Sequence, residues 1–393
     1  RMGVDNCEFP RSEEEVEQLF QGFVKQSGMP VEQLPQQYVP QIRGMFTRRP
    51  FIEGAWMDKH GGKYYLQYAC PGAEYNVYAD GVYVGDSPLG PFTPAANNPY
   101  SYHPGGFMPG AGHGSTMRDR NGNLWHASTM RISVNHQFER RVGIWPAGFY
   151  DEGELFCNQN YGDWPVAVDE NGSDPWREPQ WYLPNYKKPV TASSCAKGSE
   201  PGMAVNEDAK TWWRAASPER GQWLTVVFEK EMDVRAVQVN FADDQLPIAS
   251  PGKIQGSDTQ PRYIEERDML TRWILEGSPD GKEYFVIEDK SKAMTDLPHD
   301  FIVREEGIRV RFVKLTILQI PYDVTPCISG LRIFGIGDGE KPRVPAYSIH
   351  RSDDRLDLLV DIENTQDAFG YNILWGHEQD KLYHSYQVYK SNG

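Results

Sequence analysis

One carboxylate, Glu53, lies in a stretch where it could do acid–base chemistry. It stands between Phe51–Ile52 and Ala55–Met57, apolar residues that we expect to surround it. Low-polarity contacts disfavour the charged form of a carboxyl group. A carboxyl group that keeps its proton near neutral pH can act as a general acid. The alternative is an ordinary strand-end glutamate, solvated or paired with Arg48 or Arg49.

Three further side chains could contact a polar ligand. His113 lies among small residues, which let a ligand approach the backbone, although a histidine between glycines can also be structural. Arg140 and its neighbour Arg141 could hold a hydroxyl group or a carboxylate, or form a surface pair with acidic residues. Trp56 offers a flat aromatic face next to Glu53, suited to stacking on a sugar ring.

The segment RPFIEGAWMDKHGGKYYLQYA, residues 49–69, resembles the general-acid region of glycoside hydrolase family 43. The resemblance continues in residues 81–92, 110–129 and 139–155. It implies a five-bladed β-propeller in which Glu53 is the proton donor and His113 faces the central channel, contacting a calcium ion through water or an ordered water alone. It also implies that Arg140, by its spacing to Pro146, contacts substrate together with Trp56.

The same resemblance implies inverting hydrolysis of arabinose- or xylose-containing plant polysaccharides, of the α-L-arabinofuranosidase or β-xylosidase type. Inversion needs a second carboxylate as general base, about 6.5–9.5 Å from the acid. In the family this base and a second aspartate precede the acid, but only Asp5 lies upstream here and its context does not match. We therefore expect an N-terminally truncated enzyme. The alternative is a non-catalytic carbohydrate-binding or scaffold protein built from degenerate modules.

Composition narrows the class of protein. The 393 residues carry a net charge of −15, with 55 acidic and 40 basic side chains, which argues against a nucleic-acid partner. No apolar run is long enough to span a membrane. With 37 glycines, 29 prolines and 12% aromatic residues, the chain is typical of an all-β protein with many turns. The five scattered cysteines form no zinc-site or disulfide pattern.

The pattern along the chain predicts four parts. Residues 1–170 would be the C-terminal part of the propeller. Within them, a helix is predicted over 11–25, because Ser12 and Glu15 form a capping box, and residues 26–48 read as a loop. Residues 171–188, rich in tryptophan and proline, would be a packed linker. Strands are predicted at Lys63–Ala69, Val77–Val84, Leu124–Met130 and Val142–Gly148.

Residues 189–337 resemble a discoidin-type (factor 5/8 C-terminal) β-sandwich, a fold that implies a carbohydrate-binding module. The resemblance rests on segments such as Ala204–Asp208, Thr211–Trp213 and Gln222–Val226. It implies a structural calcium ion in the Asp208–Thr211 turn, but the last strand, ending at Leu331–Arg332, lacks the expected acid. Trp212 and Trp213 are predicted to be core residues rather than a sugar platform.

Residues 338–393 resemble part of a fibronectin type III domain, notably in GYNILWGHEQDKLYHSYQVY, residues 370–389. About fifty residues are present, whereas such a sandwich needs roughly 90–100. No cofactor is expected to be required, with calcium as a possible structural ion. A polymeric substrate and appended modules suggest secretion or a periplasmic location, although no signal peptide is visible.

Overall fold

The computed structural model describes residues 11–47, 52–73, 77–131, 140–168, 174–176, 178–242, 244–245, 269–340, 342–353, 358–366 and 368–390. The side chains of Arg131 and Arg140 lie outside that description, as do Asp5, Phe51 and part of the predicted linker. Strands dominate the described residues, which confirms the all-β prediction. Among these residues, no helix is long and apolar enough to cross a membrane.

The chain begins with two helices. Helix α1 spans Glu13–Ser27, and the predicted capping box of Ser12 and Glu15 is present, which confirms the helix. Helix α2 spans Val39–Gly44, where a loop was predicted. The loop prediction was wrong here because it took Pro40 as a helix breaker. A proline in the first turn of a helix removes no intrahelical hydrogen bond.

Two antiparallel sheets follow. The first has the order β1-β2-β3-β4, with β5 paired to β3. The second has the order β6-β7-β8-β9. Their strands are β1 Glu53–His60, β2 Lys63–Cys70, β3 Ala79–Gly85, β4 Phe92–Pro94, β5 Ser101–Tyr102, β6 Gly112–Arg118, β7 Leu124–Arg131, β8 Arg140–Phe149 and β9 Leu155–Cys157.

These strands confirm the four predicted ones to within about two residues at either end. Alternation accounts for the agreement: on β2, the residues from Tyr65 onward are alternately buried and half-buried. Tyr65 and Val82 of the first sheet share a core with Trp145 and Leu155 of the second. Strand β6 packs against β1, β2 and β3, so the two sheets meet along this edge. The number of propeller blades stays a prediction.

The described part of residues 189–337, which we call the sandwich after its predicted fold, contains one seven-stranded sheet. Its strand order is β11-β16-β12-β15-β13-β14, with β10 paired to β12. The alternation of apolar residues over Trp223–Phe228 and Val234–Phe241 predicts two strands. Strand β12 runs through both segments, with a register shift after Val227. The sheet encloses an apolar core that includes Trp213 and Trp273. The strands are β10 Val190–Ala192, β11 Trp213–Arg214, β12 Gln222–Phe241, β13 Arg272–Ser278, β14 Phe285–Asp289, β15 His299–Gln319 and β16 Cys327–Ile336.

The last described residues form two separate hairpins, β17 Tyr347–Arg351 with β18 Leu358–Ile362, and β19 Gly370–Trp375 with β20 His384–Tyr389. The second hairpin packs on the sheets near the start of the chain. His384 Nε2 donates to the Pro99 carbonyl oxygen at 2.8 Å, and Ser385 Oγ donates to the Gln159 carbonyl oxygen at 3.1 Å. A fibronectin-like domain stays a prediction.

A buried arginine joins several parts of the chain. Arg332 on β16 donates from Nε to Glu207 Oε1 at 2.9 Å and from Nη2 to Glu207 Oε2 at 2.8 Å. Its Nη1 donates to the Asp163 carbonyl oxygen at 2.8 Å, and Tyr389 donates to Glu207 at 3.3 Å. Burial disfavours the guanidinium charge, but the facing carboxylates outweigh burial and hold the pKa of Arg332 above its usual value.

Two further contacts hold the sandwich against the two sheets. Gly330 of β16 lies against Phe107, and a Cβ at Gly330 would clash with the Phe107 ring. Arg141 of β8 donates from Nε to His299 Nδ1 of β15 at 3.1 Å. The second sheet and the sandwich are therefore packed directly on each other rather than tethered.

Candidate functional site

A β-bulge places Glu53 at the start of β1. Glu53 lies opposite Ala69 and Trp56 opposite Gln67, so β1 has one extra residue between these pairs. Strict alternation would put Glu53 and Trp56 on opposite faces, but the extra residue brings them to the same face as buried Gln67. Gly54, at φ +64°, supplies the left-handed backbone that this bulge requires.

Two polar side chains contact the Glu53 carboxylate. The Tyr78 hydroxyl donates to Glu53 Oε1 at 3.0 Å, and His113 Nδ1 lies 3.6 Å from the same oxygen. The side chains of Glu53 and His113 are 47% and 49% exposed. Since both contacts involve Oε1, the second oxygen, Oε2, can face a ligand from solvent.

His113 has an unusual backbone conformation, with φ +58°. Such a left-handed residue costs roughly 1–2 kcal/mol for a side chain other than glycine. Asp80 holds it in place, because Oδ1 accepts the His113 N–H at 2.8 Å and Oδ2 accepts the Gly114 N–H at 3.0 Å. A Cβ on Gly54 would lie 2.9 Å from His113 Cδ2, so only glycine allows this close approach.

Buried polar side chains continue from Asp80 beneath the site. His126 Nε2 lies 3.0 Å from Asp80 Oδ2, and His126 Nδ1 lies 3.0 Å from the Tyr100 hydroxyl. Tyr100 donates to Gln67 Oε1 at 2.6 Å, and Gln67 Nε2 donates to Thr116 Oγ1 at 2.9 Å. We call Asp80, His126, Tyr100, Gln67 and Thr116 the polar chain. Since it links both sheets, it fixes β6, and with it His113, relative to β1.

Trp56 and Asp58 lie farther along β1. Trp56 is 43% exposed, and its indole lies near the Asp58 carboxylate and favours the charged form of that group. Asp58 Oδ2 accepts from Gln67 Nε2 at 2.8 Å. Burial raises the pKa of Asp58, and these contacts offset part of the rise. Trp56 therefore presents a partly exposed indole on the same face as Glu53.

The predicted apolar enclosure of Glu53 is wrong. Ile52 is 70% exposed, and Trp56 and Met57 are 43% and 37% exposed. Residues adjacent along a strand point to opposite faces, so they are poor neighbours for the side chain between them. The contacts of Glu53 come instead from Tyr78 and His113, on other segments of the chain.

Two predicted site residues lie apart from these contacts or outside the description. Arg140 opens β8 opposite Arg131, and its side chain is not described. Asp208 lies in the sandwich, where its Oδ1 accepts the Lys210 N–H at 2.9 Å, while the adjacent Glu207 carboxylate is held by Arg332. In the described part of the chain, no three His, Cys, Asp or Glu side chains gather as metal ligands. A calcium ion at the Asp208–Thr211 turn stays a prediction.

Sequence reasoning missed Tyr78, Asp80 and His126. Asp80 could have been found, because a charged residue within the predicted strand Val77–Val84 is unusual and needs a partner. His126 sits between apolar residues of β7, so its burial followed from alternation, although its partner did not. Tyr78 showed no signal, since its contact with Glu53 spans 25 residues.

Comparison with known proteins gives a family match for the region that contains these residues. Residues 24–154 match the model of the family described as "Glycosyl hydrolases family 43", and this range includes Glu53, Tyr78, Asp80 and His113. A "Xylosidase/arabinosidase" of Bacteroides ovatus is 45% identical over 47 residues, 12% of this chain. The match spans about an eighth (13%) of that relative's length.

Two solved structures are also similar. One described as "Glycoside hydrolase" has 18% identity and a TM-score of 0.39, covering 72% of this chain and 60% of its own. The Clostridium perfringens module CpGH89CBM32-4, in complex with glcNAc-alpha-1,4-galactose, has 12% identity and a TM-score of 0.31. It covers 40% of this chain and 97% of its own. With TM-scores below 0.5, these similarities carry no functional argument, and the family match of residues 24–154 remains the firm result.

Proposed function

We propose that this chain is part of a glycoside hydrolase that inverts the anomeric centre of arabinose- or xylose-containing plant polysaccharides, with Glu53 as general acid. One observation carries the proposal: Glu53 is an accessible carboxylate held by Tyr78 and His113, inside the range that matches family 43. The relative described as a xylosidase/arabinosidase supports the choice of pentose substrates.

The contacts assign different tasks to the two carboxyl oxygens of Glu53. Oε1 is fixed by the Tyr78 hydroxyl and lies near His113, which limits rotation of the carboxyl group. Oε2 carries the proton and donates it to the glycosidic oxygen as the C–O bond breaks. Trp56 lies on the same face and stacks on a sugar ring next to the scissile bond, and Arg140 contacts a hydroxyl group of the substrate.

Inversion requires a water molecule activated by a second carboxylate on the opposite side of the sugar. We assign this general base to no described residue. Asp80 is unsuited to the role, because it is buried and both of its oxygens accept backbone N–H groups. Asp58 accepts hydrogen bonds from Gln67 and Thr116, so we likewise assign it a supporting role.

The sandwich of residues 189–337 would act as a carbohydrate-binding module beside the hydrolase region. The sequence resemblance to discoidin-type modules supports this role, and direct packing through Arg332 and Gly330 would keep the module close to the polymer being cleaved. A polymeric substrate also favours a secreted or periplasmic protein.

Hydrolysis of 4-nitrophenyl α-L-arabinofuranoside and 4-nitrophenyl β-D-xyloside tests the proposal. The 393-residue chain is assayed alone and within its full-length protein. Release of nitrophenol from at least one glycoside by the full-length protein is the expected result. Absence of hydrolysis of both would contradict the proposed function and favour a carbohydrate-binding or scaffold protein.

A further inference from the structure

A cleft of about 450 Å³ lies at the β9 edge of the second sheet, whereas the first sheet contacts the β6 edge. Three parts of the chain line it: the residues after β9, Trp176 and Glu178 of the linker, and the β19–β20 hairpin. We call it the linker cleft. Its walls include Asn160, Trp176, Glu178, Asn372, Gln379 and Asp380. Small-molecule sites are commonly clefts of about 300–1,000 Å³, so this one has room for one or two sugar rings.

An aromatic side chain forms one wall of the linker cleft. Trp176 stacks on Phe156, with ring centroids 4.9 Å apart and an angle of 14° between the planes. Tyr150 lies behind the same pair, 6.2 Å from the Trp176 centroid. Trp176 nevertheless remains 38% exposed. A rigid, partly exposed indole suits the C–H face of a sugar ring, because many small dispersion contacts add up over the flat surface.

The rest of the cleft is polar, and its charged lining residues are acidic. Glu178 and Asp380 supply carboxylates, and among the described lining residues there is no lysine or arginine. Carboxylates accept hydrogen bonds from hydroxyl groups but repel phosphate, sulfate or uronate groups. This lining therefore selects neutral ligands rich in hydroxyl groups.

Two asparagines at the cleft have incomplete hydrogen bonding. Asn160 Oδ1 and Asn372 Oδ1 are buried and have no partner among the described residues. Buried polar atoms in folded proteins almost always have a partner, often an ordered water molecule. Both oxygens are therefore candidates to accept a hydrogen bond from an ordered water molecule at the polar wall of the cleft.

Contacts outside the lining fix the position of the β19–β20 turn, which forms one side of the cleft. Lys381 Nζ donates to Glu154 Oε2 at 2.8 Å, and His377 Nε2 lies 3.1 Å from the same oxygen. Lys381 is nearly buried, with 7% of its side chain exposed. Since these contacts fix the β19–β20 turn on the second sheet, little ordering is needed when a ligand binds.

We propose that the linker cleft is a second saccharide site, which binds a neutral mono- or disaccharide unit of a glycan. Trp176 is the stacking platform, and Glu178 and Asp380 accept hydrogen bonds from sugar hydroxyl groups. The site does not depend on hydrolysis at Glu53, because it shares no residue with that site. Its occupation would hold a glycan chain on the protein independently of cleavage.

Isothermal titration of the full chain with xylotetraose, arabinotetraose and galactotetraose tests this site. We expect at least one to bind, and Trp176→Ala to weaken its affinity at least tenfold. Asp380→Ala, at an exposed position, should weaken it about threefold to tenfold without altering folding. Tyr347→Ala is the matched control, because Tyr347 is an aromatic residue on β17 that is 65% exposed and lies outside the cleft.

Unfolding midpoints of the three variants show whether they remain folded. Retained hydrolysis of aryl glycosides by Trp176→Ala would separate this site from the one at Glu53. Binding that is unchanged in both Trp176→Ala and Asp380→Ala would overturn the proposal. So would the absence of binding for all three oligosaccharides, whatever the result for hydrolysis.

Discussion

The two sheets around Glu53 and the β-sandwich bury polar side chains in different places. In the sheets, the polar chain from Asp80 to Gln67 runs through the interior, directly beneath His113. In the sandwich, the interior is apolar, and its buried charged pair, Arg332 with Glu207, lies where other segments pack on it.

The two sets of buried polar contacts therefore have different roles: the polar chain positions His113, whereas the Arg332–Glu207 pair holds distant segments together. Interior hydrogen bonds in the sheets hold a strained backbone, so their loss should mainly affect activity. The buried charges of the sandwich join distant segments, so their loss should mainly affect stability. Substitution of one buried carboxylate in each region therefore tests whether the two sets of contacts have these different effects.

The largest effect on stability is expected for Glu207→Ala. It leaves the Arg332 guanidinium buried and without its bidentate partner, which commonly costs about 3–5 kcal/mol. Chemical denaturation measures the loss in the free energy of unfolding. Glu229→Ala is the control, because Glu229 pairs with Lys188 at the surface and is 82% exposed. Equal, small losses for both variants would show that the junction does not depend on the buried pair.

A smaller loss of stability, but a clear loss of activity, is expected for Asp80→Asn. The amide can accept only one of the two backbone N–H groups that Asp80 now holds, at a cost of roughly 1–3 kcal/mol. His113 would then leave its left-handed conformation, and kcat should fall at least tenfold.

Steady-state kinetics of Asp80→Asn and of the control Asp86→Asn measure this effect. Asp86 follows the same strand but pairs with Lys63 at the surface, where it is 84% exposed. An unchanged kcat in folded Asp80→Asn would mean that the polar chain does not position His113.

The smallest effect concerns pH. Burial lowers the pKa of His384 to about 3, whereas an unfolded histidine titrates near 6.5. The unfolded chain therefore takes up a proton below about pH 6.5 that the folded chain refuses, so stability falls as the pH falls through this window. Between pH 7 and pH 5.5, His384 should account for about 1 kcal/mol of that loss.

Denaturation of His384→Gln at both pH values tests the assignment, with exposed His350→Gln as control. The His384 variant should lose less stability on acidification than the unsubstituted chain, and the control should lose as much. If the His384 variant lost as much stability on acidification as the unsubstituted chain, His384 would not be the source of this pH dependence.

Sequence patterns predicted the elements better than the contacts between them. Alternation gave β2 and β7 almost to the residue, because half-buried strands follow a period of two. The capping box located helix α1 in the same local way. The bulge in β1 left no such pattern, since one extra residue changes the register without changing the composition.

The site required information from distant parts of the chain. Glu53 and His113 were singled out by their sequence context, but that context gave no sign that Tyr78 and Asp80 hold them. Likewise, no local pattern showed that the β19–β20 hairpin packs on the second sheet through His384. Such long-range contacts depend on how the sheets meet, which one sequence does not reveal.

The central claim, that Glu53 is the general acid, is tested most directly by the leaving-group dependence of Glu53→Gln in the full-length protein. Its turnover of xylo- and arabino-oligosaccharides, whose leaving group is a sugar alkoxide that departs poorly without protonation, should fall by several powers of ten. Turnover of 2,4-dinitrophenyl glycosides should fall far less, because that leaving group needs little protonation. Equal losses on both kinds of substrate would contradict the assignment.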